Sequence, residues 1–284
     1  MIKRNIILFL LIALVLISIL VYLSQNLHRV YKKEVKQALK MDSKTVSSIL
    51  TEKDTAHLPT PVQKYLIYTG SIGKEKVHNF YIAADGEMQL NKKWCKVDLK
   101  QSNFTGNNPI RLFYFNIKGY VLPLYALHAY TDKQASMLVK LGGLIPVVDE
   151  KGKEMRIGDT VTLLNDMCIF APASLIDPRI QWEPIDSLSA KAHFKTRYCT
   201  VSATLYFNHS GELINFVSED RYYHRKDGSF VKARWSTPMK DYKKLNGYML
   251  ASYIEAVWNS SQGDDCYFKV SNIKELKYNY KILN

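Results

Sequence analysis

The stretch Cys199-Thr-Val-Ser-Ala-Thr-Leu-Tyr-Phe207, followed by Asn208-His-Ser-Gly211 and Glu212-Leu-Ile-Asn-Phe-Val-Ser218, determines how the chain is expected to fold. Apolar residues occupy every second position from Cys199 to Phe207, the pattern of a strand with one buried face. The segment Asn208–Gly211 then favours a tight turn, because Asn tolerates the required backbone and Gly supplies a positive φ. We therefore predict a β-hairpin here.

The same period of two recurs along much of the chain. Ten stretches show it: 77–90, 94–104, 111–117, 190–197, 199–208, 212–218, 221–224, 230–234, 248–258 and 266–280. Turn signals at 226–228 and 262–265 separate further pairs. Ten strands with short connections predict one long antiparallel sheet, strongly curved or closed into a partial barrel, since large open sheets curl.

Helical patterns interrupt this sheet. Pro61 is expected to open a short helix through Tyr68. Residues 133–141 carry apolar side chains at helical spacing, and Asp159 is a good N-cap for another helix, with a further turn after Pro172. These helices can bury their apolar faces only against the sheet, so the predicted class is α+β, with helices packed on one face.

Residues Ile6–Leu23 form an apolar run without any charged residue. At 1.5 Å per residue the run spans about 27 Å, close to the thickness of a bilayer's hydrocarbon core. It is long for the apolar core of a cleaved signal peptide, and Val21-Tyr-Leu23 offers no small-residue cleavage site. We therefore expect a single-pass transmembrane anchor, with a cleaved signal as the alternative.

The flanks of this run do not fix its orientation. Lys3 and Arg4 precede it, while five basic residues and one acidic residue follow between positions 29 and 40. Counting charges places the C-terminal flank in the cytoplasm, but long domains translocate largely regardless of charge. We expect an extracytoplasmic domain, with the cytoplasmic side left open.

The expected organisation is an anchor over residues 1–26, a juxtamembrane amphipathic helix and linker over 27–57, and one β-rich domain over 58–284. The formal charge is +13, of which the first forty residues supply +6, from seven basic residues and one acidic residue. We expect the juxtamembrane helix to lie against anionic headgroups. The remaining basic residues are scattered along strands, so no nucleic-acid partner is expected.

The four cysteines, Cys95, Cys168, Cys199 and Cys266, have no pairwise metal spacing such as C-x-x-C. Each belongs to an apolar pattern, which favours buried free thiols, with disulfides as the alternative. The chain also lacks the G-x-S-x-G, H-E-x-x-H, Walker and dinucleotide-binding motifs. No metal and no cofactor is therefore expected.

Several segments together resemble a known family. They are Leu58-Pro-Thr-Pro-Val-Gln-Lys-Tyr-Leu66, Pro109–Tyr114, Leu127–Tyr130, Asn165-Asp-Met-Cys-Ile-Phe-Ala-Pro172, Ile180–Trp182, Ala203–Asn208 with Gly211–Leu213, and Asp220-Arg-Tyr222. The set is similar to an uncharacterised bacterial family of unknown function, often membrane-anchored, over about residues 58–280. That resemblance implies no activity and no functional residues. The β-rich pattern also resembles the LolA-like lipoprotein carriers in architecture, which implies a curved sheet that shelters acyl chains.

Candidate catalytic residues are few. Asp220 and His224 lie in one strand with their side chains expected on the same face, where they are candidates for an acid–base pair. Asp166 lies in an apolar stretch, where a carboxylate is costly to bury without a partner. We expect Arg221 to be that partner, ahead of Arg179. His128, between Leu127 and Ala129, is a further candidate acid or base, although its apolar neighbours favour a structural histidine in the core or at its rim.

Aromatic side chains are abundant, with nineteen Tyr, eleven Phe and four Trp. Packing on the sheet explains many of them, since strands favour aromatic residues. An apolar cavity between the sheet and its helices is the other interpretation. The candidate ligand contacts are then Phe113, Phe115, Tyr125, Tyr130 and Arg221.

The predicted function is a membrane-anchored, non-catalytic domain that binds a lipid, a lipoprotein or another apolar ligand. A hydrolase using the Asp and His residues above is one alternative. An assembly partner in the cell envelope is another. Residues 6–23 would contact the bilayer, and the oligomeric state is left open.

Overall fold

The computed structural model describes residues 2–42, 48–119, 122–225, 227–261 and 263–283. Within these residues the helices are α1 (Ile2–Ser24), α2 (Asn26–Asp42), α3 (Glu52–Thr55), α4 (Thr60–Tyr68) and α5 (Lys153–Phe170), with a 3₁₀ turn at Pro172–Ser174. The strands are β1 (Asn79–Leu90), β2 (Lys93–Phe104), β3 (Ile110–Ile117), β4 (Leu124–Tyr130), β5 (Ala135–Leu141), β6 (Ile145–Lys151), β7 (Ile180–Pro184), β8 (Ser189–Lys195), β9 (Thr200–Phe207), β10 (Leu213–His224), β11 (Phe230–Ser236), β12 (Met239–Leu245), β13 (Tyr248–Ser260) and β14 (Gly263–Tyr278).

The strands form one antiparallel sheet that curls around α5. Its order is β6-β5-β4-β3-β2-β1-β14-β13-β11-β10-β9-β8-β7, and β12 pairs with β13 beside this path. Helix α5 contacts β5 and β6 at one edge and also β9 and β10 near the other. One helix reaches both ends of the sheet only if the sheet is strongly curved. The predicted α+β class, with a curved antiparallel sheet after an apolar N-terminal helix, is confirmed.

Alternation along the strands creates two buried faces. In β1, Phe80, Ile82 and Ala84 belong to the main core with α4 and α5, whereas Tyr81 belongs to a smaller cluster on the opposite face. The predicted buried positions of β9, from Val201 to Phe207, are buried as well. The concave face therefore encloses α5, and the convex face is available to another helix.

Helix α2 occupies that convex face. Leu27, Tyr31, Val35 and Ala38 recur every three or four residues, so they form one stripe, which is buried against Tyr81, Phe104, Leu112, Tyr114, Leu127 and Tyr280. The hydroxyl of Tyr31 lies 2.9 Å from the Ser102 hydroxyl. Helices therefore lie on both faces of the sheet. Helices α4 and α5 pack on the concave face, as predicted, and α2 packs on the convex face, which was not predicted. Residues 43–47 of the predicted juxtamembrane segment 27–57 lie outside the described residues.

The helix predicted over 133–141 is wrong. Residues Ala135–Leu141 are strand β5, which pairs with β4 so that Tyr130 lies opposite Ala135. A short apolar run fits the helical pattern and the strand pattern equally well. Here the backbone N–H and C=O groups of β5 pair with β4 on one side and with β6 on the other, so the run is a strand. Strands β4, β6, β7 and β12 were likewise absent from the prediction.

The predicted N-cap at Asp159 is also wrong. Helix α5 begins six residues earlier, at Lys153, directly after Gly152 with φ of 129°. Asp159 therefore lies inside the helix and is only 1% exposed. An interior Asp is unfavourable for a helix by propensity, so a tertiary partner must account for it.

Helix α1 stands apart from the core. Its window Asn5–Ser24 has a mean hydropathy of 3.3, and none of it is buried within the protein. By length and composition it is the one helix of the described residues that is able to cross a membrane, although a signal sequence has the same properties.

The four cysteines are free in the structure. Cys95 and Cys168 are buried, whereas Cys199 and Cys266 are half-buried. Burial raises the pKa of the Cys168 thiol well above its ordinary value. Cys168 is therefore a packed apolar side chain rather than a reactive thiolate.

Substituting Gly86 by Ala is expected to lower the free energy of unfolding by about 1–3 kcal/mol, the usual cost of overpacking. A Cβ at Gly86 would stand 2.2 Å from the Lys269 carbonyl oxygen across the β1–β14 ladder. The backbone of β14 is held by its pairing with β1, so it cannot move away without a cost in free energy. Gly106→Ala is the matched control, since no atom lies within 4 Å of its Cβ position. Thermal and urea unfolding of the full chain measure both variants, and equal stabilities would contradict the register between β1 and β14.

Candidate functional site

A cavity of about 200 Å³ lies between the concave face of the sheet and α5. We call it the sheet cavity. Strands β1 to β5, β10, β11, β13 and β14 contribute to its wall, and α5 closes it. Most of its lining is apolar, namely Ile82, Met88, Leu99, Phe113, Phe115, Met137, Ile169, Phe170, Ile254, Phe268 and Val270. An apolar wall with a few polar groups is the usual composition of a small-molecule site.

One polar cluster in this wall centres on Asp166. Its Oδ2 accepts hydrogen bonds from Arg111 Nε at 2.6 Å, Gln101 Nε2 at 2.8 Å and Asn103 Nδ2 at 3.1 Å. Arg111 also donates to the side-chain oxygen of Gln101 at 3.3 Å. Both charged side chains are only about 5% exposed. Three donors thus converge on one oxygen of the carboxylate, and they tie α5 to strands β2 and β3.

The predicted pairing of Asp166 with Arg221 is wrong. Arg179, the second choice, instead pairs with Asp177. Arg111 lies opposite Asn103 in the β2–β3 ladder, so the same two strands bring Arg111 and the two amides to the carboxylate. The signal for this arrangement was the polar Arg111 within the otherwise apolar strand start Ile-Arg-Leu-Phe-Tyr, but only the sheet register identifies its partner.

His128 meets a carboxylate that the sequence did not assign to it. Its Nε2 lies 2.5 Å from Asp159 Oδ1, and the Asp159 side chain is almost completely buried. No atom of the described residues donates a well-oriented hydrogen bond to either Asp159 oxygen. The sequence did not indicate this contact, because it predicted Asp159 as the N-cap of α5, a position that usually lies at the surface.

Arg221 projects from β10 into the sheet cavity. One terminal nitrogen, Nη1, donates to Thr162 Oγ1 at 2.9 Å. Its guanidinium carbon lies 4.3 Å from the centre of the Trp235 ring and 5.4 Å from that of Trp258. Cation–π contacts of this kind stabilise a cation by about 0.5–2 kcal/mol each.

A second cavity of about 290 Å³ adjoins the sheet cavity. His128, Met137, Arg221 and Tyr267 line both of them. The second cavity is more polar, since Glu150, Glu154, Asp159 and His224 also line it. Here His224 Nδ1 lies 2.7 Å from Glu150 Oε1, and the imidazole stacks on Phe230.

The predicted acid–base pair of Asp220 and His224 does not form. Asp220 lines neither cavity. It accepts from the Ser202 backbone N–H at 2.8 Å and forms an ion pair with Lys232 at 3.0 Å. Of the four candidate catalytic residues, His128 lines both cavities, Asp166 lines only the first, and His224 lines only the second.

The candidate ligand contacts separate into two groups. Phe113, Phe115 and Arg221 line the sheet cavity, and the two phenyl rings lie 4.8 Å apart. Tyr130 is buried in the main core without lining either cavity, and Tyr125 packs beside the α2 cluster on the convex face.

The described residues form no group of three or more His, Cys, Asp or Glu side chains placed to hold a metal ion. What this arrangement offers chemically is an apolar volume, a neutralised ion pair, a carboxylate–imidazole contact and a guanidinium with unused donors.

Asp166→Asn and Arg111→Met are each expected to lower the free energy of unfolding by about 3–5 kcal/mol, since each leaves one member of a buried pair without its partner. The double variant should lose clearly less than the sum of the two single losses. Urea unfolding of the full chain in detergent measures this coupling.

The exposed pair of Asp98 and Lys118, 3.7 Å apart, is the matched control. Asp98→Asn and Lys118→Met should each change stability by less than about 1 kcal/mol. Additive losses at Asp166 and Arg111 would contradict the buried pair.

Among solved structures, three show limited similarity to this chain. A DUF1329 family protein from Desulfovibrio piger is 10% identical, with 80% of this chain and 95% of that chain covered and a TM-score of 0.42. A LolA superfamily protein from Nitrosomonas europaea is 11% identical, with coverages of 77% and 94% and a TM-score of 0.38. LprF from Mycobacterium bovis is 13% identical, with coverages of 83% and 100% and a TM-score of 0.25. All three TM-scores are below 0.5, so functional conclusions depend on this chain's own cavity.

No curated protein matches the chain. A family model does match, over residues 48–270, which is most of the chain. The predicted resemblance to an uncharacterised family is therefore confirmed, and the chain belongs to the family of unknown function DUF6544.

Proposed function

We propose that this protein is a membrane-anchored, non-catalytic domain that holds the hydrocarbon part of a lipid, a lipoprotein or a similar amphiphile in the sheet cavity. The observation that carries the proposal is the cavity itself, about 200 Å³ with a mainly apolar wall beneath α5. An apolar protein cavity of about 150 Å³ is already large enough to bind benzene. The sheet cavity therefore has room for a segment of hydrocarbon.

The energetics favour a hydrocarbon over a polar ligand in this space. Each methylene group moved from water into an apolar site contributes about 0.8 kcal/mol. The apolar part of the wall, which includes Phe113, Phe115 and Phe268, offers dispersion contacts and no hydrogen bonds. A sugar or a nucleotide would leave its hydroxyl groups unsatisfied against them.

The position of α1 supports a membrane location for the domain. The Ser24 carbonyl at its C-terminal end lies against Gly143, in the turn between β5 and β6. Leu144, Ile145 and Val147 follow this turn and are exposed. If α1 spans the bilayer, this apolar edge stands at the headgroup level, where exposed apolar side chains are favourable. The exposed lysines of α2, Lys32, Lys33 and Lys36, suit anionic headgroups.

We further propose the boundaries expected from the sequence, with an anchor over 1–26, a juxtamembrane segment over 27–57 and a β-rich domain over 58–284, on the extracytoplasmic side. Helix α2 belongs to the juxtamembrane segment but packs on the sheet. The anchor is therefore joined to the domain by a docked helix rather than by a free linker.

A hydrolase is the second candidate, and the contact of His128 with Asp159 favours it. A carboxylate beside an imidazole is a common acid–base arrangement. Asp166 is unsuited to such a role because three donors already bind it, and Asp220 lies away from both cavities. If the protein hydrolyses p-nitrophenyl esters and His128→Ala removes that activity while stability is kept, this candidate replaces the binding function.

A photoactivatable, clickable fatty acid supplied to living cells is expected to crosslink to residues of the sheet cavity, such as Phe115 and Phe268. Filling the space with Ala256→Phe should reduce the crosslinked fraction at least fivefold, because the new ring takes the volume of the chain. Peptide mass spectrometry of the full-length protein locates and quantifies the adducts.

Ala56→Phe, the same change at an exposed position outside the cavity, is the control and should leave crosslinking unchanged. If Ala256→Phe lowers the melting temperature strongly, Ala256→Leu provides a smaller filler. Adducts confined to α1, with none in the cavity wall, would contradict the proposal.

A full-length protein with different epitope tags at its two ends is expected to keep the N-terminal tag and to resist extraction by alkaline carbonate, because residues 6–23 stay in the bilayer. Protease added to spheroplasts should remove the C-terminal tag. Loss of the N-terminal tag would indicate a cleaved signal, and a protected C-terminal tag would indicate a cytoplasmic domain. Replacing Leu11 and Leu14 by Lys should abolish the resistance to carbonate, whereas Ile7→Leu should preserve it.

A further inference from the structure

Arg221 is a cation without a carboxylate partner among the described residues. None of the ion pairs formed by these residues includes it, although Arg111, Arg179, Arg197 and Arg234 each have one. Its Nε is buried and has no hydrogen-bond acceptor. A buried donor of a charged group without an acceptor is costly, so a bound anion would relieve an existing deficit.

Arg111 shows what a neutralised arginine looks like in the same wall. Its Nε donates to Asp166 and its Nη2 to Gln101, so the guanidinium is bonded to a carboxylate and to an amide of the protein. Among the described residues, Arg221 donates only to the Thr162 hydroxyl, which carries no charge. The two arginines therefore differ in function, since Arg111 holds α5 to the sheet and Arg221 retains free donors.

The surroundings of Arg221 fix its position without neutralising it. Trp235 and Trp258 contact the guanidinium with their ring faces, and Thr162 orients Nη1. Gly158 of α5 lies beside the unpaired Nε of Arg221. A Cβ at Gly158 would stand 3.9 Å from this nitrogen, in van der Waals contact with it. A glycine inside a helix costs about 1 kcal/mol relative to alanine. Because Gly158 has no Cβ, the space next to the Nε of Arg221 stays open.

Arg221 also lies where the two cavities adjoin. The sheet cavity on one side is mainly apolar, whereas the second cavity holds ionisable side chains. In the second cavity, Glu150 lies 2.7 Å from His224 and Asp159 lies 2.5 Å from His128, so each of these two carboxylates already faces an imidazole. Glu154 is the remaining carboxylate of that wall, and it forms none of the ion pairs of the described residues. Arg221 thus stands between the mainly apolar sheet cavity and the more polar second cavity, the position that the charged group of an amphiphile would take.

We propose that Arg221 binds the anionic group, a carboxylate or a phosphate, of an amphiphile whose hydrocarbon chain occupies the sheet cavity. This inference depends on the proposed function and adds the head group that the site selects. Arginine suits the role because its planar donors match carboxylate and phosphate oxygens. The tryptophans hold the guanidinium in place before the ligand arrives, which lowers the entropy lost on binding.

The test compares two ligands that differ only in the head group, 11-bromoundecanoate and 11-bromoundecan-1-ol. The full chain is placed in phosphatidylcholine nanodiscs at pH 8, and empty discs correct for partition into the bilayer. Bromine quenches tryptophan emission at short range, and Trp235 lines the sheet cavity that the brominated end of the chain would occupy. The wild type is expected to bind the carboxylate at least tenfold more tightly than the alcohol. Arg221→Met should bind both with about the affinity that the wild type has for the alcohol.

Two further variants make the result specific. Arg221→Lys keeps the charge and should keep a preference for the carboxylate of at least threefold. Arg234→Met removes a positive charge from the exposed side of neighbouring β11 and should behave as the wild type does. If Arg221→Lys loses the preference as completely as Arg221→Met while its melting temperature is unchanged, the assignment of an anion to this charge is overturned.

The remaining outcomes separate this inference from the proposed function. If the wild type binds neither ligand, the apolar binding function itself fails. If it binds both equally and Arg221→Met does the same, the function stands and the role of Arg221 is overturned. If inorganic phosphate displaces the bromoundecanoate at comparable concentration, the site binds small anions and the amphiphile is excluded. Displacement by dodecyl phosphate but not by inorganic phosphate supports the amphiphile.

Discussion

The structure depends on enclosing one helix within a single curved sheet. From Gly158 to Phe170 every residue of α5 is buried, so the helix has no solvent-facing side over more than three turns. In such a helix a buried polar side chain is costly unless the surrounding strands bring a partner to it. Asp166 bonds to Arg111 and the amides of β2, Asn165 donates to Thr237, and Asp159 meets His128. The cavity is the space that remains between this helix and the strands that hold it.

Two arginines in that wall show how the same residue type serves different ends. Arg111 neutralises a carboxylate brought by α5, so the pair contributes little net field to the cavity. Arg221 donates to the hydroxyl of Thr162, one turn before Asp166 on α5, and among the described residues the other groups that stabilise its charge are the faces of two tryptophans. Because aromatic faces attract a cation without taking up its N–H donors, the guanidinium stays available for an external acceptor.

The pattern of neighbouring residues in the sequence was sufficient to predict most of the strands, but it was insufficient to predict the polar contacts between them. The alternation from Val201 to Phe207 and the turn at Asn208–Gly211 depend on neighbouring residues alone, and both appear in the structure. Strand β5 shows where this fails, because its apolar spacing fits a helix until β4 and β6 provide ladders on each side. The partner of Asp166 was beyond reach for a further reason. Arg111 lies 55 residues away in sequence, and its contact is set by the register of two strands and by the start of α5.

The convex face connects the membrane-proximal part of the chain to the cavity wall, most directly through β3. In this strand Leu112 and Tyr114 pack against α2, whereas the alternate residues Arg111, Phe113 and Phe115 face the cavity. Adjacent residues of a strand point to opposite faces, so α2 and the ligand space lie back to back across one layer of backbone. Any shift of α2 relative to the sheet would have to displace Leu112 and Tyr114, and with them the strand that carries Arg111. Because packed interiors deform little, the docking of α2 and the shape of the cavity are physically coupled.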